Sequence, residues 1–325
     1  MGAYILRRIL ISIPVLIGIT IIGFVALKLS PGDPLLATVN PEVLANLASH
    51  PELLEAERHR LGFDQPIFPN QYLRWLSGVF QGDLGYSISS HRPILPEITS
   101  RLPQTLLLMV ISLTLAILIG IPIGVITAVR QYSKLDYALN SAAIFLASTP
   151  VFVLALIAIY VFAVNLHWLP TGQVHTTGRS DALDLAWHLI LPASVLAIIN
   201  AAPLVRYTRA SMLEVLNADY VTTARAKGLG HQMVIMRHAF RNGLIPIITI
   251  VALLIPEAVA GAVITEQIFA WNGMGQLAVK AASARDPSMM MGIILITGIA
   301  VLTANIIADI GYAVADPRVA YDRAK

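Results

Sequence analysis

Cysteine is missing altogether from these 325 residues, which excludes a disulfide framework, a thiolate metal centre and a cysteine nucleophile. Charge is scarce as well. Asp, Glu, Lys and Arg supply 13% of the chain, about half the share carried by a soluble domain. No G-x-x-x-x-G-K-[ST] loop is present to cradle nucleotide phosphates; "ARAKGLG" from Ala224 lacks both that spacing and a preceding strand. No H-E-x-x-H sets two imidazoles on one helical face, the eight histidines are scattered, and no G-x-S-x-G supplies a nucleophile elbow. The alternating ten-residue runs of a membrane β-barrel are absent too. A chain without these devices is not itself a P-loop ATPase, and neither a zinc metalloprotease nor an elbow-nucleophile hydrolase is expected; no metal or cofactor of its own is expected either.

What fills the chain instead is apolar: 56% of residues are hydrophobic and the mean hydropathy is +0.72. A helix crossing the hydrocarbon layer needs about 20 such residues. Six segments qualify: 9–29, 102–129, 137–164, 187–205, 243–265 and 288–314. The predicted fold is therefore an all-α integral membrane protein with six transmembrane helices. Arg7 and Arg8 precede the first run, which is longer than the core of a cleaved signal peptide and reads as a retained span. Pro103, Pro122, Pro150, Pro192, Pro203, Pro246 and Pro256 lie in or at the ends of the spans. Neighbouring helices in a bilayer can satisfy the carbonyls that proline frees.

Basic residues set the orientation. Thirteen fall on one side: Arg7, Arg8, Arg130, Lys134, Arg206, Arg209, Arg225, Lys227, Arg237, Arg241, Arg318, Arg323 and Lys325. The short loops opposite hold only Arg179, Lys280 and Arg285. Both termini are thus expected in the cytoplasm. The pI near 9.2 reflects these loops rather than a nucleic-acid face, and no nucleic-acid partner is expected.

Three regions follow: the N-terminus and first span over 1–29, an extracytoplasmic cap over 30–100, and a five-helix core over 101–325 whose loop spans 206–242. In the cap, "HPELLEAERHRLGF" has Pro51 where a helix can begin and Gly62 where it can end. "NQYLRWLSGVF" sets Leu73, Leu76 and Phe80 at helical spacing, with Tyr72 and Trp75 suited to a membrane interface. Such a cap either receives a partner from outside or packs over the ends of the spans.

The long loop between the fourth and fifth spans is basic, polar and interrupted by glycine. Asp219 suits the free amides of a helix's first turn. Val221, Ala224 and Ala226 give that helix a small apolar side, and Gly228-Leu229-Gly230 stops it. A second run sets Met233, Met236 and Phe240 on one face and Arg237, His238 and Arg241 around the other. A surface of small residues lets another protein's backbone approach closely; the same basic loop also suits anionic lipid.

"TTARAKG" from Thr222 to Gly228 resembles the cytoplasmic loop of permease subunits in bacterial ABC importers. Thr222 stands where the general form has Glu, and Phe240–Arg241 where it has Leu-Pro; its proline comes later, at Pro246. These departures are similar to the peptide-transporting branch. So are "LSPGDP" after the first span, "LGFDQPIFPNQYLRWLSGVFQGDLGYS", "LPQTLLL", "ASTPVFVLAL" and "GAVITEQIFAWNGMG". Asn272 departs from the proline usual there. On these motifs, spread in order along the chain, it is identified as a member of the oligopeptide/dipeptide permease family. The resemblance implies a multi-pass protein of the bacterial cytoplasmic membrane. It implies a pathway shared with a second, homologous permease subunit, and a peptide delivered by an extracytoplasmic binding protein. It also implies two ATPase subunits or domains carrying ATP and Mg. Asp219, Tyr220, Thr222, Thr223, Ala224, Arg225, Lys227 and Gly228 would form the coupling helix that docks on the ATPase.

Glu257 falls near mid-span, where an unpaired charge costs about 2.5–3.5 kcal/mol or more. It either lines a polar pathway, with Asn200 and Asn305 as neighbours by depth, or is paired within the subunit. The resemblance lends it no role. Asp309 and Glu266 read as structural. Two other functions stay open: the resemblance also suits the same machine importing nickel or another small solute, and the residues suit a stand-alone proton-coupled carrier using Glu257 and Asp309. The docking loop and the lack of a detectable inverted repeat weigh against the carrier.

The orientation is directly testable, because introduced cysteines meet no native thiol. Ser49→Cys and Thr177→Cys are expected to react with an impermeant thiol reagent applied to intact cells. Ser133→Cys and Gln232→Cys are not, and labelling of Gln232→Cys from outside reverses the topology.

Overall fold

The computed structural model describes residues 2–29, 64–179 and 181–315, together with 52, 53, 55, 56 and 59. Its helices are α1 (Gly2–Leu29), α2 (Tyr72–Phe80), α3 (Ile94–Val129), α4 (Lys134–Ser148), α5 (Val151–Ala158), α6 (Ala182–Leu216), α7 (Asp219–Ala226), α8 (His231–Met233), α9 (Arg241–Gly261), α10 (Val263–Ile268), α11 (Met274–Ser283) and α12 (Pro287–Ala315). Wide helical turns extend α5 over Ile159–Asn165 and join α8 to α9 over Val234–Phe240. Among the described residues the only β feature is an isolated bridge between Tyr86 and Pro93. The all-α expectation holds.

Among the described residues four helices are long and apolar enough to cross a membrane unbroken, and up to six spans result if each of two bent pairs counts once. The expected third span is one such pair. Its two halves meet at 105° where Thr149 takes an extended conformation (φ −88°, ψ 125°) before Pro150. Clash with the proline ring pushes the preceding residue out of the helical region. The fifth bends by 49° near Pro246. The expected fourth span is only the middle of α6. At 35 residues α6 is about 52 Å long, and the 36-residue α3 about 54 Å, against a hydrocarbon core of about 30 Å. Both helices carry ordered structure beyond it.

The chain divides into two compact units. The first comprises Met1–Arg8, Thr105–Asn272 and Val301–Lys325. Within it α3 meets α6 through Gly120 and Gly124, spaced four apart on one face. A Cβ on Gly120 would lie 2.7 Å from Leu204 Cβ, and one on Gly124 would lie 2.5 Å from Thr208 Cβ and 2.8 Å from the Val205 carbonyl oxygen. Lipid gives apolar side chains no reason to prefer one another, so packing at short range drives helices together there, and small residues permit it. Around this contact Ala116, Ala201, Leu204 and Leu254 are buried as one cluster.

The second unit comprises Ile9–Gln104 and Gly273–Ala300. Tyr72 is buried on Phe24 in an edge-on pair with centroids 5.7 Å apart, and its hydroxyl lies 3.0 Å from that of Thr20. Trp75 tilts against the same two rings. Expectation for α2 is corrected here. The two aromatics anchor it inward, while Leu73 and Phe80 are exposed. A phenol and an indole combine large apolar area with a polar handle that can be satisfied inside. Below them Leu84, Ile94, Ile98, Leu277 and Ile293 form a core. Asp286 is buried beside it, accepting from the Ser87 hydroxyl (2.6 Å), the Ser89 amide (3.1 Å) and the Met289 amide (2.9 Å) that opens α12. The helix expected between Pro51 and Gly62 falls outside the described residues except at 52, 53, 55, 56 and 59, which are helical.

The α3–α6 contact can be tested by filling it. Gly124→Val is expected to lower stability by about 1–3 kcal/mol, as overpacking does. Gly18→Ala, with nothing within 4 Å of the added Cβ, is expected to be neutral. Melting of the purified protein reads both.

Candidate functional site

The basic loop folds as a helix, a glycine stop and a second helical run. Ala218, extended at φ −72° and ψ 147°, caps α7 through its backbone, so Asp219 is the first helical residue and no side chain caps the end. The expected capping bond from Asp219 is absent. Its carboxylate sits instead where the helix dipole favours negative charge, and its carbonyl accepts from the Thr223 hydroxyl at 2.9 Å. The other end matches expectation. Gly228 is left-handed at φ +76°; its amide donates to the Arg225 carbonyl at 3.0 Å and the Leu229 amide to that of Ala224 at 3.4 Å. This is a Schellman stop, which an L side chain at Gly228 would strain.

Val221 and Ala224 are buried in a cluster with Ala128, Met212, Val234, Ile235 and Ala239. The face expected to offer small residues to another protein is turned inward in the chain by itself, with Ala224 buried in this cluster. Burying its methyl against the ends of α3 and α6 gains more than exposing it to water. Outward lie Asp219, Tyr220, Thr222, Thr223, Arg225, Lys227 and Gly228. In the second run Val234, Ile235 and Ala239 are buried while Met233 and Met236 are exposed. The three residues expected on one face are split, since Phe240 packs against the cluster: the wide turns over Val234–Phe240 advance fewer degrees per residue than an α-helix and shift the phase.

Two polar contacts fix this platform. Arg209 on α6 donates from Nε to Asp136 Oδ1 and from Nη2 to Oδ2, both at 2.8 Å. Asp136 is buried in the first turn of α4, accepts the Tyr132 amide at 3.0 Å, and has its own amide capped by Ser133 Oγ at 3.2 Å. The Ser211 hydroxyl donates to the Gly243 carbonyl at 3.0 Å, where a Cβ would sit 3.2 Å from the Met212 sulfur. Asp309 pairs with Arg8 at 3.0 Å, and Glu266, fully buried, accepts the Thr105 hydroxyl at 2.6 Å. Both fit their structural reading.

The pathway candidates are not brought together by hydrogen bonds. Asn200 is half-buried on α6 and Asn305 exposed on α12, and no hydrogen bond joins them. Glu257 is helical, one residue after Pro256 on α9; its side chain lies outside the described residues.

A second polar cluster was not anticipated. Asp184 Oδ2 accepts the Thr176 amide at 2.8 Å and Oδ1 its hydroxyl at 2.6 Å, while His175 Nδ1 lies 3.1 Å from Oδ2. His188, one turn along α6, donates from Nδ1 to the Gly172 carbonyl at 2.8 Å. The Gln173 amide donates to the Phe269 carbonyl at 2.7 Å. Together these hold the loop after the α5 extension against the α10 end. Asp and His four apart at a helix start were the visible signal.

Residues 120–321 match the family described as the inner membrane component of binding-protein-dependent transport systems, and residues 1–109 match its N-terminal region. The chain belongs to this family, whose members are membrane components and not the ATP-hydrolysing subunits. It is 46% identical, over 99% of its length and the whole of that protein, to the oligopeptide transport system permease protein AppB of Bacillus subtilis (strain 168). It is 38% identical, over 99% of its length and the whole of that protein, to the dipeptide transport system permease protein DppB of Alkalihalophilus pseudofirmus. A solved structure of the MetNI methionine ABC transporter, inward facing, shares the fold. It has a TM-score of 0.58 at 15% identity over 68% of this chain and 97% of that one. The protein is thus a multi-pass inner membrane component of an ABC-type transport system.

Ala224 and its outward neighbours are expected to behave differently on substitution. Ala224→Glu leaves a charge buried without a partner and is expected to cost about 3 kcal/mol or more, seen as lost folded yield. Thr222→Ala, on the exposed side, is expected to stay within about 0.5 kcal/mol of wild type.

Proposed function

We propose that this chain is one of two membrane subunits of an ATP-driven peptide importer. The observation that carries the reading is near-full-length similarity to peptide permeases in a chain that presents a polar, packed helix, α7, on its basic loop. Asp219, Tyr220, Thr222, Thr223, Arg225, Lys227 and Gly228 form the docking surface for an ATPase, and Ala224 supports it from beneath. An exposed helix held by a packed core passes a push on, where a floppy loop absorbs it. The distribution of basic residues supports a cytoplasmic location for both termini and α7. ATP and Mg act on two partner ATPase subunits or domains, and this chain binds neither.

A second, homologous permease completes the pathway, with lipid around the pair and an extracytoplasmic binding protein bringing the peptide. Exposed apolar side chains such as Leu10, Ile13, Ile22, Phe145 and Leu253 suit lipid or that second subunit. Glu257, Asn200 and Asn305 are proposed to line the pathway. Asn200 and Asn305 have no hydrogen-bond partner within the chain's described residues, which fits groups that meet water, substrate or another subunit.

Reversing charge on the exposed face tests the docking. Arg225→Glu with Lys227→Glu is expected to leave yield and melting unchanged, since both side chains are exposed. Co-purification with the ATPase and peptide uptake are expected to fall together by about tenfold or more, as loss of charge complementarity at an interface does. Unchanged co-purification and uptake remove the docking surface from this face, and uptake of a non-peptide solute alone replaces the substrate.

A further inference from the structure

We propose that the Asp136–Arg209 pair is a positioning clamp that makes the α3–α4 hairpin and the α7 platform move as one body. It thereby carries motion from the docking helix to the bend at Thr149–Pro150. The inference rests on the importer reading, and deepens it by naming the residues that transmit force within the subunit.

The geometry around the pair is unusually complete. Arg209 lies two turns before the end of α6, which leads through Asn217 and Ala218 directly into α7. Its guanidinium makes both 2.8 Å bonds in a fork whose planar geometry fixes direction as well as distance. The accepting carboxylate belongs to α4 but also organises the turn before it. Tyr132, left-handed at φ +63°, donates its amide to that carboxylate, and Ser133 caps the helix that carries it. One aspartate therefore ties the end of α3, the turn and the start of α4 to α6.

On either side of the pair the packing is already tight. Thr208, beside Arg209 in sequence, abuts Gly124 of α3 at a separation no added carbon could enter. Met212, one turn on, is fully buried with Val221 and Ala224 of α7 and Ala128 of α3. α4 lies along this body through small apolar contacts, Ala143 being buried with Ala202 and Val205 of α6. Apolar packing resists separation but permits sliding. A bidentate bond to a buried carboxylate permits neither. α4 has 15 residues before the 105° break, so a small rotation at Asp136 is displaced along a stiff lever to Thr149.

A merely structural pair and a clamp differ in what is lost when the fork is removed. The test uses the assembled importer in proteoliposomes, with spin labels at Ala138→Cys on α4 and Gln232→Cys on the loop, both exposed. In the wild type the label distance is expected to be narrow and unchanged between nucleotide-free and ATP-trapped states. With Arg209→Gln it is expected to broaden and to shift with ATP. Peptide moved per ATP hydrolysed is expected to fall at least about fivefold, the lower range of coupling between sites. Arg209→Lys, which keeps the charge without the fork, is expected to fall between. It also decides the matter if Arg209→Gln gives no complex.

An unchanged ratio of peptide to ATP in Arg209→Lys and Arg209→Gln overturns the clamp, even if melting and both rates drop together. So does a wild-type label distance that itself shifts with ATP. A wild-type complex that binds no ATPase, or moves no peptide, removes the importer reading instead. The width of the label distance in the purified chain, wild type against Arg209→Gln, then still decides whether the pair holds α4 to the platform.

Discussion

Close approach of α3 and α6 at Gly120 and Gly124 is the contact on which the first unit is built. In water the two helices would be driven together by their apolar faces, but in a bilayer lipid competes equally for those faces. Contact at backbone range, with Leu204, Val205 and Thr208 seated over the glycines, supplies the dispersion that lipid cannot match. These are also the two longest helices, and both overrun the hydrocarbon layer. Joining them toward their C-terminal ends fixes where those ends emerge, and so where the platform under α7 stands.

From that platform the chemistry follows by position rather than by reactivity. Val221 and Ala224 sink into the ends of α3 and α6, and Gly228 turns the chain back so that the polar side of α7 is left facing out. Asp136 and Arg209 add direction to what is otherwise an apolar cushion. At the other loop Asp184 and His188 do comparable work, spending a buried carboxylate and imidazole on holding backbone at Gly172 and Thr176. Buried charge is costly unless every lone pair is used. In both places the carboxylate is met by several donors.

The departures from expectation share a cause. Leu73, Met233, Met236 and Phe80 look like core residues by hydrophobicity, yet stand exposed in the isolated chain. Helical spacing sets apolar residues on a face without saying which face the rest of the chain covers, so hydrophobicity alone does not separate core from surface. Small residues and satisfied polar ones mark the interior better, as Ala128, Ala239, Tyr72 and Asp136 show.

The spans, the family and the helix–glycine–helix pattern of the basic loop were legible because each depends on local properties: run length, a proline before a turn, a glycine able to take positive φ at 228. Ala224's direction was not, since its helix has small residues on more than one side and only the ends of α3 and α6 decide which is covered. Nor was the 105° break, for Pro150 announces a disturbance without giving its angle. The Asp136–Arg209 and Thr105–Glu266 contacts join residues 73 and 161 positions apart. Sequence fixes that such charges must find partners. Only the packing of whole helices, set by where glycines let backbones meet, determines which partners they find.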